Sequence, residues 1–200
     1  MTKPAVHIVD DDEAIRDALC WLFQSRSVPV VAWSSAEGLL ADYSPTMAGC
    51  LLLDIRMEGM SGLELFDRLR ERGCRMPVLF LTGHGDVPIA VNALKKGARD
   101  FVEKPFNDND LVDRVIEAMA FDARQRMEDA DTADVQARLA TLTQRERQVM
   151  DLIIAGKLNK VIADELGISM RTVEVHRAHV FEKMAVKTAV ELTRILVKAS

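Results

Sequence analysis

Four short apolar runs in this chain each end in a residue that can handle a phosphoryl group. Leu51-Leu52-Leu53 runs into Asp54, and Ala5 to Val9 runs into Asp10-Asp11-Asp12. Val78-Leu79-Phe80-Leu81 closes on Thr82, and Phe101-Val102 leads to Lys104-Pro105. A carboxylate can attack phosphorus to give an acyl phosphate, but two anions must then approach each other. Asp11 beside Asp54 suits Mg²⁺ or a similar cation such as Mn²⁺, hard ions that prefer oxygen ligands. Lys104 adds a fixed positive charge for a phosphoryl oxygen, and Thr82 adds a hydroxyl donor. Three carboxylates at one point repel, so a cation and a lysine are their physical counterparts. Taken singly, an Asp at a strand end is ordinary cap chemistry, and Thr82-Gly83 or Lys104-Pro105 is ordinary turn chemistry. Their conjunction at successive strand ends marks Asp54 as the expected phosphoryl acceptor.

Such a site needs parallel strands whose carboxyl ends share one crevice. The first 120 or so residues alternate suitably. Val6 to Val9 is followed by a helical pattern with Ile15, Leu19, Leu22 and Phe23 on one face. Val28 to Trp33 reads as a second strand, and Ser34-Ser35-Ala36-Glu37 matches a capping box with Glu37 reaching back. The strand ending at Asp54 precedes a second capping box, Ser61 to Glu64, on a helix closed by Gly73. Val78 to Leu81 precedes a helix from Val87 to Lys96, where Pro88 is tolerable in the first turn. Phe101 to Glu103 and a helix carrying Leu111, Val115, Ile116 and Met119 complete five βα units. Nearly all-apolar strands alternating with amphipathic helices predict a parallel sheet covered on both faces.

From Asp122 to Leu139 the chain is charged, with almost no apolar stripe and no Pro or Gly, which predicts a linker that can extend the preceding helix. Four helical segments follow and no strand. Thr143 to Glu146 is a third capping box, opening a helix through Ile154. Asn159–Leu166 is a second helix. Gly167-Ile168-Ser169 is a turn in which Ser169 caps a third, from Met170 to about Met184, and the fourth runs from Thr188 to Lys198. The second, third and turn have helix-turn-helix spacing.

Composition is that of a folded chain, 48% hydrophobic and 28% charged. From Ala140 to Ser200 there are ten Lys and Arg against seven Asp and Glu, a net +3; the rest has sixteen against twenty-four, a net −8. Only the back of the chain therefore suits a polyanion. Cys20, Cys50 and Cys74 are odd in number and have no zinc-like spacing, which predicts buried thiols in a reducing cytoplasm. No apolar stretch has the length of a membrane span, and no membrane partner is expected.

Asp10-Asp11, Asp54, Thr82 and Lys104-Pro105 resemble the receiver-domain signature of two-component response regulators. Leu81-Thr82-Gly83-His84-Gly85-Asp86-Val87-Pro88 with Lys104-Pro105-Phe106 is similar to the FixJ-type subgroup. The resemblance implies an α/β flavodoxin-like receiver over residues 1–121, a five-stranded parallel sheet in the order 2-1-3-4-5. It implies phosphorylation at Asp54, Asp11 as a direct Mg²⁺ ligand, Asp10 acting through water, and a ligand from the Arg56 backbone carbonyl. It further implies a cis Lys104–Pro105 peptide. Phe101 matches an aromatic switch position, at which Thr82 moves toward the phosphate and Phe101 fills the vacated space by packing alone.

Beyond the 122–139 linker, residues 140–200 resemble the LuxR-type helix-turn-helix domain. The residues that carry this are Leu142 to Glu146, Gly156, Asn159-Lys160, Ile162-Ala163, Ile168-Ser169, Thr172-Val173 and His176. Leu158 departs from it, standing where a small polar residue is common. Val173, His176, Val180 and Met184 fall on one inward face, so His176 reads as a packed residue. By the resemblance, Glu174, Val175 and Ala178 face base edges, with Glu174 suited to a cytosine amino group and the other two to a thymine methyl. Many relatives carry Lys at the Glu174 position, so an altered base preference follows. Asn159 and Thr172 are expected DNA contacts in the same motif, and Lys160, Arg171, Arg177 and Lys183 would contact phosphates.

The expectation is thus a DNA-binding transcription regulator, not an enzyme beyond its own aspartyl phosphorylation and dephosphorylation. A sensor histidine kinase, promoter DNA and RNA polymerase are its expected partners. Phosphorylation is expected to drive homodimerisation through the face around Val87–Lys96 and Phe101–Glu103. Two rivals remain. A haloacid-dehalogenase-type phosphatase also uses an Asp10-x-Asp12 pattern with Mg²⁺, but would turn over substrates and not need residues 140–200. A DNA-binding protein with a vestigial receiver would bind DNA regardless of phosphorylation.

Overall fold

The computed structural model describes residues 3–83 and 87–199, so His84-Gly85-Asp86 of the FixJ-like motif lies outside the described residues. The chain divides into two compact units, Met1–Gln125 and Arg126–Ser200.

In the first unit, strands β1 (Ala5–Val9), β2 (Val30–Trp33), β3 (Gly49–Asp54), β4 (Val78–Thr82) and β5 (Asp100–Glu103) form one sheet. Its order is β2-β1-β3-β4-β5, and every pairing is parallel. The connecting helices are α1 (Glu13–Ser25), α2 (Ala36–Asp42), α3 (Gly62–Glu71) and α4 (Val87–Lys95), with α5 (Asp108–Ala140) following β5. The strand period of two splits the apolar residues between the faces. Leu51 and Leu53 pack with Leu39, Leu65, Phe66 and Ala93 of α2, α3 and α4. Cys50 and Leu52 pack with Leu19 and Phe23 of α1 and Leu111 and Val115 of α5. Each such buried Leu or Phe contributes about 1.5–3 kcal/mol, and both layers converge on β3, the strand that ends in Asp54.

The second strand begins later than the sequence predicts. Val28 donates its N–H to Phe23 O at 2.9 Å, closing α1, and Pro29 has no N–H to offer a neighbouring strand. The expected capping box at Ser34 is also displaced. Ser35 is the N-cap of α2, its Oγ accepting from Gly38 N at 3.1 Å, so Glu37 is one position too early to reach back. The boxes at Ser61–Glu64 and Thr143–Glu146 are both formed.

Residues 122–139 are helical throughout as part of α5. Their apolar content matters more than the sequence suggested: Val135 is buried and Leu139 packs beside it in the core of the second unit. There α6 (Gln144–Ile154), α7 (Asn159–Leu166), α8 (Met170–Lys183) and α9 (Ala189–Lys198) enclose Val149, Ile153, Ile162, Val173, Val180, Met184 and Leu192. Gly167 closes α7 at φ 64, and Ser169 caps α8 by accepting from Thr172 N at 3.1 Å. No helix among the described residues is long and apolar enough to cross a membrane.

Candidate functional site

Strand register brings the first unit's polar residues together. Val9 pairs with Leu53, so Asp10 and Asp54 emerge side by side at the carboxyl ends of β1 and β3. Thr82 pairs with Glu103, and the next residue, Lys104, donates its backbone N–H to Thr82 O at 2.8 Å. The Lys104–Pro105 peptide is cis. A Cβ at position 62 would stand 2.0 Å from the Asp54 carbonyl oxygen, so only glycine lets α3 begin this close to the acidic strand end.

Asp10, Asp11 and Asp54 each present a carboxylate oxygen, all within 4.8 Å of one another. An all-oxygen, triply acidic set fits a hard divalent cation such as Mg²⁺ or Mn²⁺ and not a soft one. Lys104 Nζ lies 3.0 Å from Asp10 Oδ2 and 3.3 Å from Asp54 Oδ2. Asp10 is fully buried and already engaged at both oxygens, since Oδ1 accepts from Asp12 N at 2.9 Å. That leaves it suited to act on a cation through water. Asp11 is exposed, and its Oδ2 accepts from Glu58 N at 2.7 Å. Arg56 meets the cluster through its backbone N–H, which donates to the Asp54 carboxylate.

Burial pushes the Asp54 carboxyl above the usual carboxylate range; the Lys104 ammonium opposes this, and the negative charge of Asp10 adds to it. Poor solvation of its charged form raises the reactivity of a carboxylate toward phosphorus. Thr82 is buried and its Oγ1 makes no hydrogen bond, leaving a donor uncommitted beside the crevice. Phe101 is half-buried and packs against the α2–α3–α4 layer.

Two contributors were not foreseen. Arg16 Nη1 donates to Asp10 O at 2.9 Å, fixing the end of β1 from α1. Glu37 Oε1 accepts from Met60 N at 3.0 Å, tying α2 to the β3–α3 loop. A Glu two residues after a capping Ser, rather than three, was the available signal for the second.

In the second unit Val173 and Val180 of α8, and Met184 just beyond it, are fully buried, while His176 is half-buried with Nδ1 unpartnered. Arg171, Glu174, Val175 and Ala178 are exposed on the opposite face, as is Lys160 on α7; Asn159 and Thr172 are half-buried. Arg177 holds its guanidinium 5.4 Å from the Phe181 ring centroid. Lys183 already has partners within its own domain: its Nζ lies 2.7 Å from Glu146 Oε2 and 3.2 Å from Thr141 O. Its charge serves the Glu146 carboxylate, which is held down to about 2 by that bond and by the Thr143 backbone N–H. Leu158 is the N-cap of α7 and makes no side-chain cap bond, where a small polar residue would offer an acceptor.

Residues 6–116 match the family described as response regulator receiver domain, and residues 140–196 match the luxR family of bacterial regulatory proteins. The chain is 50% identical over 192 residues to the C4-dicarboxylate transport transcriptional regulatory protein DctR of Rhodobacter capsulatus, spanning 95% of this chain and 98% of that one. It is 45% identical over 194 residues to the transcriptional regulatory protein FixJ of Azorhizobium caulinodans, spanning 97% and 92%. Among solved structures, the response regulator StyR superposes with a TM-score of 0.91 at 38% identity, covering 98% of this chain and 100% of that one. Full-length FixJ from B. japonicum gives 0.63 at 42% identity, covering 100% and 98%.

Proposed function

Because this chain belongs to the response regulators that join a receiver domain to a luxR-type DNA-binding domain, we propose that Asp54 is its phosphoryl acceptor. The chain is a two-component response regulator controlling transcription, not a catalytic enzyme. A receiver and a DNA-binding domain imply a histidine kinase and promoter DNA as partners.

In the transfer, an Asp54 oxygen forms the new P–O bond while the P–N bond of the kinase's phosphohistidine breaks, its electron pair returning to the imidazole. Asp10, Asp11, Asp54 and the Arg56 carbonyl would hold the divalent cation, which supplies charge neutralisation for two approaching anions. Lys104 pairs with a phosphoryl oxygen once Asp54 is phosphorylated, and Thr82 turns its unpaired hydroxyl to another. Phe101 then repacks into the space Thr82 leaves. The observation that carries this reading is the convergence of three carboxylates and Lys104 at the switch point between β1 and β3.

Residues 1–121 act as the receiver, 122–139 as a helical linker and 140–200 as the DNA reader. Phosphorylation adds about −1.5 to −2 charges at the crevice and shifts the receiver toward a form that dimerises through α4 and β5. Exposed Ile89 and Val91 on α4 support that face. Dimerisation places two copies of α8 on adjacent half-sites, where Asn159, Lys160, Arg171, Thr172 and Arg177 position the helix and Glu174, Val175 and Ala178 read bases. Binding beside a promoter, in the cytoplasm, brings the dimer to RNA polymerase. Sedimentation velocity with beryllofluoride and Mg²⁺ tests this: the native chain should dimerise and Asp54→Asn should not. Dimerisation of Asp54→Asn under the same conditions would refute the assignment.

A further inference from the structure

The loop from Arg56 to Ser61 is tethered by three carboxylates, from the β1–α1 loop, α2 and α3. Glu58 N donates to Asp11 Oδ2 at 2.7 Å, Met60 N to Glu37 Oε1 at 3.0 Å, and Ser61 N to Glu64 Oε2 at 2.9 Å. The Glu64 bond is local, since it belongs to the capping box of the helix the loop enters. The other two reach across the fold, and they are not equivalent. Asp11 is also a member of the acidic cluster, so a cation and the Glu58 N–H draw on the same carboxylate. Glu37 has no such second claim within that cluster.

The contact at Glu37 is close and well supported. A Cβ at Gly59, where φ is +77, would stand 3.1 Å from Glu37 Oε1, so a side chain there would crowd the carboxylate. Glu37 lies in the first turn of α2, whose Ala36 and Leu39 are fully buried, and Met60 packs in the same core layer. The post and the segment it holds are therefore both anchored.

We infer that Glu37 is a positioning residue for the acidic crevice. It holds the β3–α3 loop in place while Asp11 turns to the cation, and so keeps the Arg56 backbone at the mouth of the cluster. This rests on reading Asp10, Asp11 and Asp54 as the cation site. Glu37 touches neither phosphoryl group nor cation; it acts through Met60 N and the loop backbone. Loss of the tether lets the loop sample positions in which the Arg56 carbonyl is withdrawn, which lowers cation affinity without altering the three carboxylates.

The test is Mg²⁺ affinity of the full chain by calorimetry, together with amide exchange at Met60 in the absence of cation. Glu37→Ala removes the acceptor, Glu37→Asp keeps the charge but falls a methylene short, and Glu37→Gln keeps an acceptor oxygen without charge. Glu37→Ala and Glu37→Asp should both expose the Met60 amide and weaken Mg²⁺ binding roughly tenfold, the equivalent of about 1.4 kcal/mol. Glu37→Gln should retain most of the native affinity, which a purely electrostatic role would not allow. Native-like Mg²⁺ affinity in both Glu37→Ala and Glu37→Asp, with the Met60 amide exposed, overturns the proposal alone. A native chain that binds no Mg²⁺ overturns the cation-site reading and this proposal together.

Discussion

Lys104 Nζ stands 3.3 Å from Asp54 Oδ2, across the crevice between the ends of β5 and β3. The same ammonium is 3.0 Å from Asp10 Oδ2, so one cation serves two carboxylates. Its side chain is 23% exposed, so water screens it in part. A donor at a fully dry site contributes about a hundredfold or more in rate; with screening, Lys104→Met should slow phosphoryl uptake from acetyl phosphate by about tenfold. Intact-mass time courses measure this, and an unchanged rate would remove Lys104 from the chemistry.

Burial and the neighbouring Asp10 push the Asp54 carboxyl above its ordinary range, so its charged form destabilises the unit when no cation is bound. Asp54→Asn should therefore melt at a higher temperature than the native chain in chelator. Mg²⁺ should raise the melting temperature of the native chain more than that of the variant. A lower melting temperature for Asp54→Asn in chelator would contradict this.

Glu146 should contribute to the second unit's pH dependence. Its carboxyl is held at about 2 against an ordinary 4.5, chiefly by the bond from Lys183. A depressed value contributes stability that is present above 4.5 and is lost as pH falls from there toward about 2. Amide protection at Val173 and Val180 should fall across that window. In Glu146→Gln protection should start lower and show a flatter pH profile; an unchanged profile would place the acid sensitivity elsewhere.

Lys160 and Arg171 are exposed, whereas Lys183 is committed to Glu146. Each phosphate contact removed should reduce the slope of log affinity against log salt by about 1 per bound domain. Lys160→Ala and Arg171→Ala should do so on target DNA, and Lys183→Met should lower affinity with little change in slope. An equal loss of slope for Lys183→Met would return it to the phosphate-contacting set.

The α7 and α8 caps form a contrasting pair. Ser169→Ala should destabilise the second unit by about 1 kcal/mol, since its Oγ accepts from Thr172 N. Leu158→Ser should stabilise it by a similar amount, about 0.5–1 kcal/mol, because the native N-cap offers no acceptor. Denaturant titration followed on the helices of this unit separates the two, and a destabilised Leu158→Ser would mean that the exposed leucine makes a contact worth more than a cap.

What was legible in the sequence is what local chemistry fixes. The alternating strands, the boxes at Ser61 and Thr143, the Ser169 cap and the polar residues at strand ends depend on neighbours within one turn or one pleat, and parallel connections then left little freedom in strand order. What was not legible depends on chain segments far apart. Glu37 meets Met60 across 23 residues and Lys183 meets Glu146 across 37, and at such separations no local pattern names the partner. Asp122 is a middle case: it looked like the first residue of a charged linker, yet it is buried and accepts from Gly49 N at 2.9 Å, at the start of the strand that ends in Asp54. Val135 and Leu139, four apart in a charged stretch, did carry the helical signal of a buried stripe, but two residues are too few to distinguish from chance.

Regulation through this chain requires Asp54 to take up a phosphoryl group, and peptide mass mapping tests that directly. After incubation with acetyl phosphate and Mg²⁺, the native chain should gain one phosphoryl group, confined to the peptide containing Asp54 and absent when the cation is chelated. The phosphoryl group found on another residue, or gained equally by Asp54→Asn, would contradict it.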